Sequence, residues 1–200
     1  MKIRLLPDGV INRIAAGEVV ERPASVVKEI VENAIDAGAN KVDVKIKRGG
    51  RTLIEVTDNG CGMSRDELAI AIARHATSKL PSDDDLSNIC TLGFRGEALP
   101  SIAAVSRLQM ISREENSDNG WKIFVENGES DVAVPAAHAI GTTVSVQDLF
   151  FSTPARLKFL KAERTEIAHI RDILGRLSMA HPEIIFTLSN EVKKLFHSTI

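Results

Sequence analysis

Glu29, Asn33 and Asp36 fall at i, i+4 and i+7 within the run Ala24 to Ala37, which at about 100° per residue places them within about 60° of one another on a helix. A carboxylate and a carboxamide one turn apart can divide two tasks. Asn offers the hard neutral oxygen that suits magnesium, an ion that keeps several waters and takes few protein ligands, while the neighbouring Glu can orient or deprotonate a water. The same pattern also suits a solvated helix face. Asp58 ends a strand-like run and precedes Asn59-Gly60-Cys61-Gly62. Glycines there let a ligand approach the backbone, and a buried Asp can accept from an exocyclic amine. Asp-Asn-Gly equally favours an Asx or type I turn. Gly93-Phe94-Arg95-Gly96 leads into a short helical stretch, Glu97 to Ala104, where free backbone N–H groups could hold an anion, with Thr77, Ser78 and Lys79 placed to close over it. Gly141-Thr142-Thr143 reads most simply as a turn before a strand.

Other chemistries drop out. No Gly-x-x-x-x-Gly-Lys-[Ser/Thr] occurs, and no Gly-x-Gly-x-x-Gly follows a strand, so a phosphate site must be built another way. The two cysteines, Cys61 and Cys90, form neither a disulfide framework nor a zinc-type pair. The histidines at 75, 138, 169, 181 and 197 show no ligand spacing, and Gly-x-Ser-x-Gly is absent. The basic stretch of Arg156, Lys158, Lys161, Arg164, Arg171 and Arg176 is interrupted by Glu163, Glu166 and Asp172, as on a solvated helix face. With 200 residues, 44% hydrophobic and 26% charged, the chain suits one compact domain or a domain with the edge of a second. Lys plus Arg number 25 against 27 Asp plus Glu, a net charge of -2, which is not the balance of a dedicated nucleic-acid-binding module. No stretch resembles a signal peptide or a membrane span, so a cytoplasmic location is expected.

The elements that must position these groups follow from periodicity. Pro23 opens the helix through Ala37, with Gly38 as a left-handed cap. Val26, Val27, Ile30, Val31, Ala34 and Ile35 form its apolar face, and Ser25, Glu29, Glu32, Asn33 and Asp36 its polar face. Lys41 to Arg48 and Thr52 to Asp58 alternate with period two around Gly49-Gly50, giving a hairpin. Ser64 and Glu67 form a capping box before a helix from Arg65 to Arg74. His75 to Arg95 is weakly periodic, more like a lid or binding loop than a connection. Strands are expected at Arg107 to Ser112, Trp121 to Glu126, Asp131 to Val134 and Thr142 to Gln147, in an antiparallel meander. Helices are expected from Pro154 to Leu160 and Arg164 to Ala180, then strands at Ile184 to Leu188 and Val192 to Phe196. This order predicts an α+β two-layer sandwich with helices on one face of a mainly antiparallel sheet.

Taken jointly and in order, Glu29-Ile30-Val31-Glu32-Asn33, Asp58-Asn59-Gly60-Cys61-Gly62, Gly93-Phe94-Arg95-Gly96-Glu97-Ala98-Leu99 and Gly141-Thr142-Thr143 resemble the nucleotide-site motifs of the gyrase, heat-shock chaperone, histidine kinase and MutL ATPase superfamily. The stretches 14–29, Arg74 to Lys79 and Phe151 to Leu160 resemble its bacterial MutL mismatch-repair branch, and the resemblance spans nearly the whole chain. It implies a Bergerat-type ATPase fold with ATP and Mg2+ as ligands. Glu29 would be the general base, Asn33 the magnesium ligand and Asp58 the acceptor for the adenine amino group, with Gly62 and Thr143 lining the base pocket. Thr77, Ser78, Lys79, Gly93, Arg95, Gly96, Glu97, Ala98 and Leu99 would belong to the phosphate side and its lid. It further implies an ATP-binding domain over 1–182, the start of a second, Lys-supplying domain over 183–200, and dimerisation through the N-terminal region. Implied partners are a MutS-type mismatch recognition protein, a strand-discrimination endonuclease, helicase or sliding clamp, and DNA, held weakly by this region.

Overall fold

The computed structural model describes residues 8–73, 76, 96–126 and 128–198. Thr77, Ser78, Lys79, Gly93 and Arg95 lie outside the described residues. The helices are α1 (Asp8–Val19), α2 (Pro23–Asp36), α3 (Arg65–Ala71), α4 (Ala98–Ala103), α5 (Pro154–Phe159) and α6 (Glu163–Ala180). The strands are β1 (Lys41–Lys47), β2 (Leu53–Asp58), β3 (Arg107–Arg113), β4 (Gly120–Glu126), β5 (Glu129–Ser130), β6 (Val134–Ala136), β7 (Gly141–Gln147), β8 (Ile185–Ser189) and β9 (Lys194–His197). Among the described residues they make one sheet in the order β5-β4-β3-β7-β2-β1-β8-β9, with β6 also on β4. Apart from the parallel pair β1 and β8, neighbours run antiparallel. The α+β two-layer expectation holds. None of the described helices is long and apolar enough to cross a membrane.

Period-two alternation decides which side chains meet the helices. Val42, Val44 and Ile46 of β1, Ile54 and Val56 of β2, Leu108 and Met110 of β3, and Val144 and Val146 of β7 are all buried in one cluster with Val26, Val27, Ile30 and Val31 of α2 and Ile170 and Leu174 of α6. Each such aliphatic side chain contributes about 1.5–3 kcal/mol on leaving water. Pro23 occupies the first turn of α2, and Gly38, at φ +74°, supports its left-handed exit. Glu32, expected on the polar face, is buried instead and takes Lys28 Nζ at 2.9 Å. The capping box forms as read: Ser64 Oγ accepts from the Glu67 N–H at 3.3 Å, and Glu67 Oε2 accepts from the Ser64 N–H at 2.9 Å.

Three expectations need correction. The meander fails because β7 does not lie beside the strand before it; it inserts between β3 and β2, in register along both. The strand expected at Asp131 to Val134 is instead two short pieces, β5 and β6, flanking residues 131–133, and Pro135 is tolerated because β6 is an edge strand lacking a full ladder. Helix α1 appears where no helix was read. At the C-terminal side, β8 pairs with β1, and Phe186 and Leu188 are buried in the shared core.

Candidate functional site

The site forms where α2 ends and β2 leaves the sheet. Ala37, the residue after α2, accepts a hydrogen bond from the Cys61 N–H at 3.0 Å, tying the helix end to the loop that follows Asp58. Asn59 Oδ1 accepts from the N–H groups of Asn40 at 3.1 Å and Lys41 at 2.9 Å, and its Nδ2 donates to Asn40 Oδ1 at 2.7 Å. The Asx turn and the candidate site are therefore the same object: Asp58 Oδ1 accepts from the Gly60 N–H at 2.9 Å and, across the sheet, from the Thr142 N–H at 3.3 Å. Both bonds fall on Oδ1, leaving Oδ2 as the second acceptor of a carboxylate only 8% exposed. Burial pushes this carboxyl above the ordinary aspartate range, opposed by the two N–H groups and, more weakly, by the His138 ring.

Strand register separates the two threonines. Thr142 pairs with Asp58 and shares its face; its Oγ1 lies 2.8 Å from Ser112 Oγ, which also accepts from the Met63 N–H at 2.8 Å and donates to the Gly141 carbonyl at 3.1 Å. Thr143, the residue expected in the pocket, points to the opposite face, where its Oγ1 is 2.9 Å from Thr57 Oγ1 and 2.8 Å from His138 Nε2. The side chains gathered beside Asp58 are thus Thr142 and Ser112. For Thr142 the signal was present, because Val144 and Val146 define the core face and the residue two before Val144 must share it. Ser112 carried no signal by itself.

Two glycines make the junction possible. Gly62 has φ +72°, and a Cβ there would sit 2.0 Å from the Arg113 carbonyl oxygen; Gly141 has φ +117°, and its Cβ would meet the Asp58 carbonyl oxygen at 2.2 Å. Neither conformation nor space suits another residue. Gly62→Ala is expected to destabilise the domain by more than ~1 kcal/mol, read as a drop of at least about 3 °C in Tm. An unchanged Tm would show that the loop reseats freely.

Glu29 and Asn33 share a face of α2, half-buried, with Asn33 one turn before Ala37. Glu29 Oε1 is 3.4 Å from Lys28 Nζ, whose shorter contact is with Glu32. Gly96, at φ +61°, brings its backbone against Ala76, since a Cβ would lie 2.3 Å from the Ala76 carbonyl oxygen. Glu97 follows as N-cap of the six-residue α4, with Ala98 and Leu99 in its first turn. Among the described residues no three His, Cys, Asp or Glu side chains form a metal cage. A hard ion here would take an amide oxygen and complete its shell from phosphate oxygens and water, a pattern magnesium accepts.

Residues 21–148 match the sequence family described as histidine kinase-, DNA gyrase B- and HSP90-like ATPase. The chain belongs to this family. Within the ATPase family it is similar over 195 residues, at 60% identity, to the DNA mismatch repair protein MutL of Paramagnetospirillum magneticum, covering 98% of this chain and 32% of that protein. It spans about a third of the length of the curated relatives it matches. Among solved ATPase structures, the Aquifex aeolicus MutL ATPase domain complexed with ADP superposes with TM-score 0.71 at 34% identity, covering 91% of this chain and 66% of that one. A structure described as the N-terminal domain of a DNA repair protein gives 0.76 at 28% identity, covering 92% and 54%. In this member of the family the loop that follows Asp58 is fastened to the end of the helix that carries Glu29 and Asn33.

Proposed function

We propose that this chain binds ATP with Mg2+ and, in the full protein, hydrolyses it slowly as a switch in DNA mismatch repair. The observation that carries the reading is the Asp58 carboxylate. It is buried and anchored through Oδ1 by two backbone N–H groups, with Oδ2 left to accept from the adenine amino group. A neutral ring edge bearing one donor suits an acceptor held at that depth better than solvent does. Thr142 replaces Thr143 beside the base, and Gly62 leaves the loop free of side-chain bulk.

The phosphates would extend along α2 toward Glu29. Its carboxylate can take a proton from a water aligned for attack on the terminal phosphorus, and the half-buried setting limits competing solvent. Asn33 would hold magnesium, which neutralises charge on the phosphate oxygens when bound. Thr77, Ser78, Lys79, Gly93 and Arg95, together with Gly96 to Leu99, would close around the phosphates, and a Lys from a second domain would complete the set. ATP-dependent dimerisation through the N-terminal region, recruitment of a MutS-type protein and of an endonuclease, helicase or sliding clamp, weak DNA contact and a cytoplasmic location complete the proposal. The net charge of -2 accords with DNA affinity that is weak and salt-sensitive here.

Calorimetric titration of the full-length protein with a nonhydrolysable ATP analogue tests the reading. One site per chain is expected, at least about tenfold weaker without magnesium; no heat of binding under either condition would overturn it.

A further inference from the structure

The stretch 151–160 holds none of the residues assigned to the site, yet its Arg156 reaches the end of α1. After β7 the chain turns through two non-glycine residues of left-handed φ, Asp148 at +50° and Phe150 at +69°. Their neighbours hold them there. Phe150 is fully buried and donates its N–H to the Val105 carbonyl at 2.7 Å, while Leu149 donates to the Arg51 carbonyl at 2.9 Å. Arg107 pairs with Asp148 at 2.6 Å and lies 4.5 Å above the Phe151 ring. The result is that the Phe150 ring faces Arg156 of α5, whose guanidinium carbon stands 4.4 Å from the ring centroid.

From that stacked position Arg156 Nη1 donates to the Ala16 carbonyl at 3.5 Å, and Nη2 donates to the Val20 carbonyl. These carbonyls close the C-terminal end of α1, a helix with no basic residue in its own last turn. A helix end leaves carbonyls short of partners and carries negative partial charge, so a planar cation arriving from 136 residues away serves as its cap. Val20 is also the last residue before the elbow Glu21-Arg22, after which Pro23 begins α2. The buried side chains of Ala16 and Val20 seat this end in the core, and α1 packs on α4.

We propose that Arg156 is a positioning residue of the nucleotide site: stacked on Phe150, it caps α1 and fixes the elbow from which the helix bearing Glu29 and Asn33 departs. The link to catalysis rests on the proposed roles of those two residues, whereas the cap itself does not. A guanidinium is required because one side chain must stack on a ring and donate to two carbonyls at once.

Two variants of the full-length protein test this. Arg156→Met keeps length and apolar contact with Phe150 but removes every donor, and Arg156→Lys returns a single point donor. In the nucleotide-free protein, amide exchange over residues 16–22 is expected to speed by roughly tenfold in the Met variant and by less in the Lys variant, with the sheet amides unchanged. Turnover is expected to fall about tenfold in the Met variant and to recover partly with Lys, while the Kd of a nonhydrolysable ATP analogue stays within about twofold. Unchanged exchange at 16–22 would overturn the cap. Faster exchange with wild-type turnover would overturn the link to the site, as would a parallel loss of affinity, turnover and sheet protection. If the wild-type protein binds no nucleotide, the ATPase reading fails and the exchange measurement still decides the cap.

Discussion

Asp58→Asn is expected to abolish useful ATP affinity while leaving the fold intact, a loss of about a hundredfold or more in Kd, or roughly 3 kcal/mol. The carboxamide oxygen can still accept from the Gly60 and Thr142 N–H groups. The amide nitrogen then replaces Oδ2 and sets a donor against the adenine amino group, so a charge-assisted bond is lost and two donors are left facing each other. Asp58→Ala is the blunter variant, because it also strands both backbone donors. The same Asn variant has a second signature. Burial raises the Asp58 pKa in the folded state, so folding favours the protonated form: that stability is fully present at pH below the unfolded pKa and is lost as pH rises through the folded one. At neutral pH the nucleotide-free wild type therefore carries the cost of a buried charge that Asn lacks. The variant should melt above wild type at pH 7, the gap closing below about pH 4. Wild-type affinity for ATP in Asp58→Asn would remove the adenine role, whatever the melting curves show.

The second large effect is expected at Glu29. Glu29→Ala should lower steady-state phosphate release by at least about a hundredfold, with the Kd of a nonhydrolysable ATP analogue within about threefold of wild type. Its contact with Lys28 is long and the lysine side chain is 46% exposed, so the fold loses well under ~1 kcal/mol with it. Lys28 keeps its shorter partner, Glu32. The comparison belongs in the full-length protein, where the second domain can contribute. Turnover at the wild-type rate would show that another group activates the water.

Local order was legible wherever one periodicity ruled a segment. The apolar stripe of α2, the β1–β2 hairpin and the Ser64 capping box each follow from neighbours in sequence, and each forms within a residue or two of its expected bounds. Asp58 was legible as a residue but not as an anchored one, because its second backbone donor comes from Thr142, 84 residues on. Strand alternation from Val144 and Val146 places Thr142, rather than Thr143, on the face of Asp58. The family likeness pointed at a tripeptide; the pleat chooses within it. Helix α1 gave little warning, since Gly9 and Gly17 weaken its propensity and its end is capped from α5 rather than by its own residues. The position of β7 was invisible for a related reason: alternation assigns faces but says nothing of which strands become neighbours.

The insertion of β7 between β2 and β3 also has a kinetic consequence. Until β7 arrives, β2 and β3 have no common partner, and the halves of the sheet remain separate with open edges. Closing the Asp58 to Thr142 contact spans 84 residues, a loop whose entropy must be spent before the contact rewards it. The anchoring of Asp58, the proposed adenine acceptor, is therefore completed late in folding. Partly folded chains with β7 undocked hold Asp58 without its second anchor, so nucleotide has little to bind until the sheet is whole. Ligand then stabilises the finished state over its precursors by mass action, drawing the last strand into place rather than assisting the first.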